Sequence, residues 1–273
     1  MKTIKAKIDH PKFTYDFPQK KEEILFFDIE TTGLSPKTSS IYLIGVLFYE
    51  KSTEDFIQVQ WFAEKNKDEK MVLSSFLELL NHYKYLYHFN GRTFDIPYIL
   101  EKCKRHALLL NEHADKILND TTGVFSIDIL KRVRKLKRFL SLEKCSQKAL
   151  ERFLGIYRED KFSGGDLITV YSEYTQMRLF EPEKAEALEK VLLLHNFEDV
   201  EMMLSVCSLL QYEALTFENS PFFSEAALKQ MTFETADSQV SSVCSGPGSG
   251  RQSEKVLHLS LPAVLPFPTE IKK

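Results

Sequence analysis

Four acids and one histidine have the types and spacing to do chemistry. Asp28 and Glu30 close the apolar run in FFDIETTGL, Asp95 lies in HFNGRTFDIP, and His195 and Asp199 lie in LHNFEDVEMM. Side chains two apart on a strand project from one face. Asp28 and Glu30 therefore point together, at the carboxyl end of a strand, where sheet proteins place their ligands. Residues four apart on a helix share a face, which pairs His195 with Asp199. Glu198 is the alternative ligand if that helix is rotated. Asp95 opens a helix, whose N-terminus favours negative charge and keeps the acid ionised.

Two carboxylates about 4 Å apart repel by about 4 kcal/mol at an effective dielectric near 20. If these acids gather, they must take up protons or hold cations. Hard oxygen donors with no cysteine among them select Mg²⁺ or Mn²⁺. Two such ions about 3.5–4 Å apart are suited to splitting phosphodiesters, one activating water and one steadying the leaving oxygen. His195, titrating near neutrality, has the chemistry to take the proton from that water. Read singly, each residue has an ordinary explanation: a solvent-facing strand end, a first-turn acid, a core histidine. Their combination carries the reading.

The surrounding residues fill in a substrate path. Thr31, Thr32 and Gly33 form a polar turn able to approach a ligand through its backbone. Asn90 either caps a helix or touches substrate, and His88 beside it reads at least as well as structural. KRVRKLKR (131–138) has six basic residues in eight. It is either a solvated helix face or a phosphate-tracking surface, in which Lys135, Lys137 and Arg138 would contact the backbone. Phe26 and Phe27 are core on this pattern.

Periodicity supplies the elements that must position these groups. EILFFDIE (23–30) is a strand covered on both faces. IYLIGVLFYE (41–50) and DFIQVQWFA (55–63) are two more, the latter alternating in the manner of a strand nearer an edge. A helical stripe from Lys67 to Tyr83 precedes the short strand YLYHF (85–89). A helix over 94–109 and a strand in VFSIDIL (124–130) follow, then helices to about 212. Asp166 reads as an N-cap. Three strands first, then strands alternating with helices, predict an α/β fold: a mixed central sheet, three antiparallel strands followed by parallel ones, flanked by helices.

Residues 1–20 read as an arm with little structure of its own, 21–212 as the main domain, and 213–273 as an extension. The extension holds a Gly/Ser-rich linker (about 237–254) and a short strand-like end. The 273 residues carry a net charge of −3, so overall charge does not indicate a polyanion partner and local clusters must carry any such claim. The four cysteines form no C-x-x-C pair, which removes a zinc knuckle or disulfide framework. No apolar run reaches membrane-spanning length and no leader pattern opens the chain, so a cytoplasmic setting without membrane partners is expected.

FDIETTGL, NGRTFDIP and HNFED, in this order, resemble the three exonuclease motifs of the DEDD superfamily of 3′–5′ exonucleases, which have a ribonuclease H-like fold. With ERFLGIYRED and SGGD between the second and third motifs, the chain is most similar to the YprB-like branch. The likeness spans about residues 24 to 212. It implies two Mg²⁺ or Mn²⁺ ions, with Asp28, Glu30 and Asp199 around the catalytic ion and Asp28 with Asp95 at the second. It also implies His195 as the base and Leu34 as a wedge against a terminal base. His195 precedes Asp199 by four positions, the spacing that the resemblance assigns to the tyrosine-type subgroup. The implied partner is a single-stranded DNA or RNA end. The alternatives are a non-catalytic nucleic-acid-binding module on the same fold and a structure-specific endonuclease.

Overall fold

The computed structural model describes residues 1–8 and 11–215. Its strands are β1 (Lys2–Lys7), β2 (Ile24–Thr31), β3 (Ile41–Glu50), β4 (Asp55–Phe62), β5 (Tyr85–His88) and β6 (Ser126–Asp128). They form a single sheet in the order β1-β4-β3-β2-β5-β6. The pairs β1–β4, β4–β3 and β3–β2 are antiparallel, whereas β2–β5 and β5–β6 are parallel. The helices are α1 (Glu69–Leu80), α2 (Asp95–Arg105), α3 (Glu112–Leu118), α4 (Ile129–Leu136), α5 (Gln147–Phe153), α6 (Gly164–Met177) and α7 (Pro182–Cys207).

The two faces of the sheet bury different side chains of β2. Leu25, Phe27 and Ile29 join one core with residues of α1, α2 and α6. Ile24 and Phe26 join the other with residues of α4, α5 and the second half of α7. This is why β2 reads as an unbroken apolar run: each completely buried side chain of this kind contributes roughly 1.5–3 kcal/mol. Asp28 and Glu30 continue the row begun by Ile24 and Phe26, on the face covered by α4, α5 and α7. The apolar row thus becomes an acidic one where the strand leaves the core.

The sheet differs from the sequence expectation at its antiparallel side. The segment 1–20 is not without structure, because Lys2–Lys7 pairs along β4 from Lys2 opposite Phe62 to Lys7 opposite Ile57. β4 is therefore interior. Its alternation reflects buried polar residues: Gln58 Nε2 donates to the Phe197 carbonyl (3.0 Å), and Gln60 Nε2 to the Leu193 carbonyl (2.9 Å), both on α7. An amide that grips a helix backbone is satisfied in the interior, so its polarity does not signal solvent.

Boundaries shift elsewhere. α2 stops at Arg105 rather than at 109, because Ala107 adopts a left-handed φ of 51°. α3, opened by Asn111 accepting from the Ala114 amide (2.8 Å), was not foreseen. Asp166 is the third residue of a capping box opened by Ser163, not the N-cap itself. The linker at 237–254 and the strand-like end lie outside the described residues. Among the described residues, no helix is long and apolar enough to cross a membrane.

Candidate active site

The first motif is held by a close approach of helix to sheet. Asp28 on β2 pairs with Gly45 on β3. A Cβ at Gly45 would stand 2.1 Å from Asn196 Oδ1, so only glycine lets α7 lie this near. Asn196 uses that proximity: its Nδ2 donates to Asp28 Oδ2 (3.0 Å), and its Oδ1 accepts from Gln60 Nε2 (3.0 Å). The turn after β2 is fixed by its own hydroxyls. Thr31 Oγ1 donates to the Gly33 carbonyl (2.8 Å), which also receives the Tyr98 hydroxyl (2.6 Å), and Thr32 Oγ1 accepts from the Ser40 amide (2.8 Å). Leu34 projects beyond this turn and is 79% exposed.

The second motif ends β5. Asn90 has a left-handed φ of 64°, a conformation asparagine tolerates better than most residues. Its Oδ1 accepts from Thr93 Oγ1 (3.0 Å), and its backbone N–H donates to Asp128 Oδ1 (3.1 Å). His88 is structural. Its Nδ1 accepts from the Gly91 amide (3.0 Å), which leaves Nε2–H to donate to Ser126 Oγ (2.9 Å), and burial pushes its pKa down to about 4. Asp95 begins α2, and its Oδ1 accepts from the Ile29 amide of β2 (3.2 Å).

The third motif faces the first. His195 Nε2 lies 3.2 Å from Asp199 Oδ2 and 3.6 Å from Glu30 Oε1. Glu30, His195 and Asp199 each bring a ligand atom within 4.8 Å of the others. Asp28, Asp95 and Asp199 line one open cleft of about 850 Å³, together with Asn90, Phe94, Arg134, Lys137, Ser146 and Gln147. Of the basic run along α4 and just after it, Arg134 and Lys137 line the cleft, whereas Lys135 and Arg138 are exposed outside its lining. Arg132 is engaged by Glu213.

Several neighbours of these groups lie outside the three acid motifs, Glu151, Arg158 and Asp160 among them in the ERFLGIYRED stretch. Arg158 forms ion pairs with both Asp199 and Glu151. Asp160 Oδ2 meets His195 Nδ1 at 2.8 Å, and Gln147 Nε2 donates to the Asp199 carbonyl (2.6 Å). Glu198 is not an alternative ligand. Its two oxygens accept from the backbone amides of Glu159 (2.9 Å) and Asp160 (3.0 Å), in the loop that supplies Arg158.

The electrostatics show the cost of this gathering. Burial, then the charges of Asp95, Asp199 and Glu30, push Asp28 well above the carboxylate range. Burial pushes Glu30 up to about 8, partly offset by His195. Asp95 rises to about 7 through burial, despite backbone hydrogen bonds to its carboxylate. The helix N-terminus, worth about 0.3–1 kcal/mol, does not keep it ionised against that desolvation. Asp199 alone is lowered: burial opposes its charge, but His195 and Arg158 outweigh it. Burial also disfavours the His195 cation, yet Asp199, Glu30 and Asp160 push His195 up to about 9. Without cations the cluster stores protons. A set of oxygen donors that must otherwise be protonated fits a hard divalent ion, which would displace those protons.

The profile of the RNase_H superfamily (RNase_H_2) matches residues 25–211. The chain belongs to this superfamily, and its mixed sheet flanked by helices is the ribonuclease H-like fold. No curated protein matches it. Among solved structures, the family B DNA polymerase of Pyrobaculum calidifontis aligns over 82% of this chain and 31% of its own, at 17% identity and a TM-score of 0.53. Zinc-bound E. coli exonuclease I in complex with single-stranded DNA aligns over 61% and 42%, at 13% identity and a TM-score of 0.37. Exonuclease I of Methylocaldum szegediense aligns over 59% and 41%, at 16% identity and a TM-score of 0.37. This chain therefore spans less than half the length of each, and the polymerase likeness is one of fold.

Proposed function

We propose that the chain is a divalent-metal-dependent 3′–5′ exonuclease acting on single-stranded nucleic-acid ends, of the YprB-like branch that its intervening sequence resembles. The observation that carries this reading is the meeting of Glu30, His195 and Asp199 within 4.8 Å, where Asp199 joins Asp28 and Asp95 in lining a cleft with Arg134 and Lys137 on its wall. A pure binder of polyanions gains nothing from acids there.

Asp28, Glu30 and Asp199 would hold one Mg²⁺ or Mn²⁺ ion, and Asp28 with Asp95 a second. Bound there, the two ions would supply Lewis-acid stabilisation of the attacking and leaving oxygens. The rest belongs to the protein. His195 Nε2 faces the acids and, in the neutral ring, takes the proton of the attacking water; the carboxylates that push His195 up to about 9 would lose that hold once cations neutralise them. Asn196 fixes the Asp28 carboxylate, and Gln147 fixes the main chain at Asp199. Arg134 and Lys137 neutralise backbone phosphates, with Asn90 and the 31–34 turn bordering the strand end. Residues 21–212 form the catalytic unit, to which β1 adds an edge strand.

End-labelled DNA and RNA strands, incubated with Mg²⁺, Mn²⁺ or chelator and resolved on a sequencing gel, test this. The expected result is metal-dependent shortening from the 3′ end, with circular single strands left intact. Cleavage that persists in chelator, or circles that are cut, would overturn it.

A further inference from the structure

Three consecutive residues of the loop before α6 engage three residues on one face of α7. Arg158 pairs with Asp199, the amides of Glu159 and Asp160 donate to Glu198, and the Asp160 carboxylate meets His195. Positions 195, 198 and 199 are one helical turn of one surface. The loop is thus set in register on the helix that carries the histidine.

Within this clamp, Asp160 occupies a distinct position. Its side chain is 1% exposed. Oδ2 accepts from His195 Nδ1 (2.8 Å) and from Lys148 Nζ (2.6 Å), while Oδ1 accepts from the Phe162 amide (3.0 Å). The opposite edge of the imidazole faces Asp199 and Glu30. In the cation both ring nitrogens are held, Nδ1 by Asp160 and Nε2 by Asp199 and Glu30; in the neutral ring the hold that remains is Asp160 at Nδ1. A carboxylate accepts and does not donate, so Asp160 draws the single hydrogen of a neutral imidazole to Nδ1. Nε2 then carries the lone pair, on the edge that faces Asp199 and Glu30.

We infer that Asp160 is a positioning residue for His195, fixing the ring orientation and the tautomer in which Nε2 can receive a proton. This rests on the exonuclease reading above. Lys148, held against the same oxygen, keeps the carboxylate in place as an acceptor.

The test is a double-mutant cycle on the full chain, in single-turnover cleavage of a labelled oligonucleotide with Mn²⁺. Asp160→Ala is expected to lower the rate about 10- to 100-fold, the range seen for outer partners of functional histidines, with KM within about twofold. In a His195→Ala background the same change is expected to add less than about twofold, because its effect passes through the ring. Mn²⁺ affinity, followed by electron paramagnetic resonance, is expected to stay within about threefold. A loss of equal factor in both backgrounds would show that Asp160 merely holds the loop, and an unchanged rate in the wild-type background would show that it does nothing for the ring. Either result overturns the inference. If Asp160→Ala does not fold, Asp160→Leu, which fills the same space and cannot accept a hydrogen bond, takes its place with the same criteria. If Asp28→Asn and Asp199→Asn keep wild-type cleavage, the exonuclease reading fails. If they abolish it while the cycle is additive, only the role of Asp160 fails.

Discussion

Two buried acidic sites in this molecule have opposite solutions to the same problem. Asp120 is 9% exposed, and its carboxylate accepts from Thr122 Oγ1 (2.6 Å) and from the amides of Thr122 (2.8 Å), Gly123 (3.2 Å), Phe125 (2.7 Å) and Ser126 (3.0 Å). Burial works against its charge, but these donors outweigh it and hold its pKa far below the usual range. Asp28 has one side-chain donor, Asn196, and three acidic neighbours, and it moves the other way. A buried carboxylate with enough donors is a structural part. One surrounded by other carboxylates is unfinished without a cation.

The largest effect should separate the two sites by function. Asp28→Ala and Asp199→Ala are expected to lower cleavage by at least about 10³-fold, roughly 4 kcal/mol of transition-state stabilisation, without loss of fold by circular dichroism. Asp120→Ala should do the reverse. Five donors lose their acceptor, so the protein is expected to lose about 2–3 kcal/mol of stability in urea titration while its Mn²⁺ affinity stays unchanged. Wild-type cleavage in either cleft variant, or wild-type stability in Asp120→Ala, would break the contrast.

A third expectation concerns pH. Glu30 and Asp95 have folded-state values of about 8 and 7, above their ordinary ones. The folded, metal-free protein therefore keeps protons that the unfolded chain releases. Their stabilisation is complete below the unfolded values and is lost as pH rises through the folded ones. Melting temperature without metal is expected to fall by about 4–8 °C between roughly pH 5 and pH 8, at about 2–4 °C per kcal/mol, and Mg²⁺ should restore it. Glu30→Gln with Asp95→Asn should flatten the profile. Asp120 is lowered and acts at the other end, its stabilisation disappearing only as pH drops below the normal carboxylate range.

The smallest effect belongs to the cleft wall. Lys137→Ala and Arg134→Ala are each expected to weaken strand binding several-fold and to reduce the slope of log K against log salt by about 0.7. Lys135→Ala and Arg138→Ala, outside the cleft lining, should change the slope less. Equal slopes for all four would remove the directional basic wall.

The sequence made the acids legible because a strong local pattern marks each: Asp28 and Glu30 at a strand end, Asp95 at a helix start and Asp199 inside the long helix α7. Asp28 and Glu30 interrupt an apolar run, and His195 and Asp199 share a helical face. Arg158 and Asp160 were invisible as partners because their contacts join residues 35 to 41 positions apart, and no local period encodes such a meeting. The edge strand Lys2–Lys7 was missed for a related reason: half of KTIKAK is lysine, and such a segment pairs only because β4 offers a free edge. β4 itself misled, since Gln58 and Gln60 read as solvent-facing until α7 is in place above them.

Those two glutamines have a consequence for the chemistry. By seizing the Leu193 and Phe197 carbonyls, they set the rotational phase of α7 on the sheet. A slip of one residue along that helix is a turn of about 100° and a rise of about 1.5 Å, enough to swing the imidazole out of reach of Glu30. Shortening either glutamine would thus shift the His195 ring through the opposite side of the helix, like a lock whose pins sit behind the keyhole.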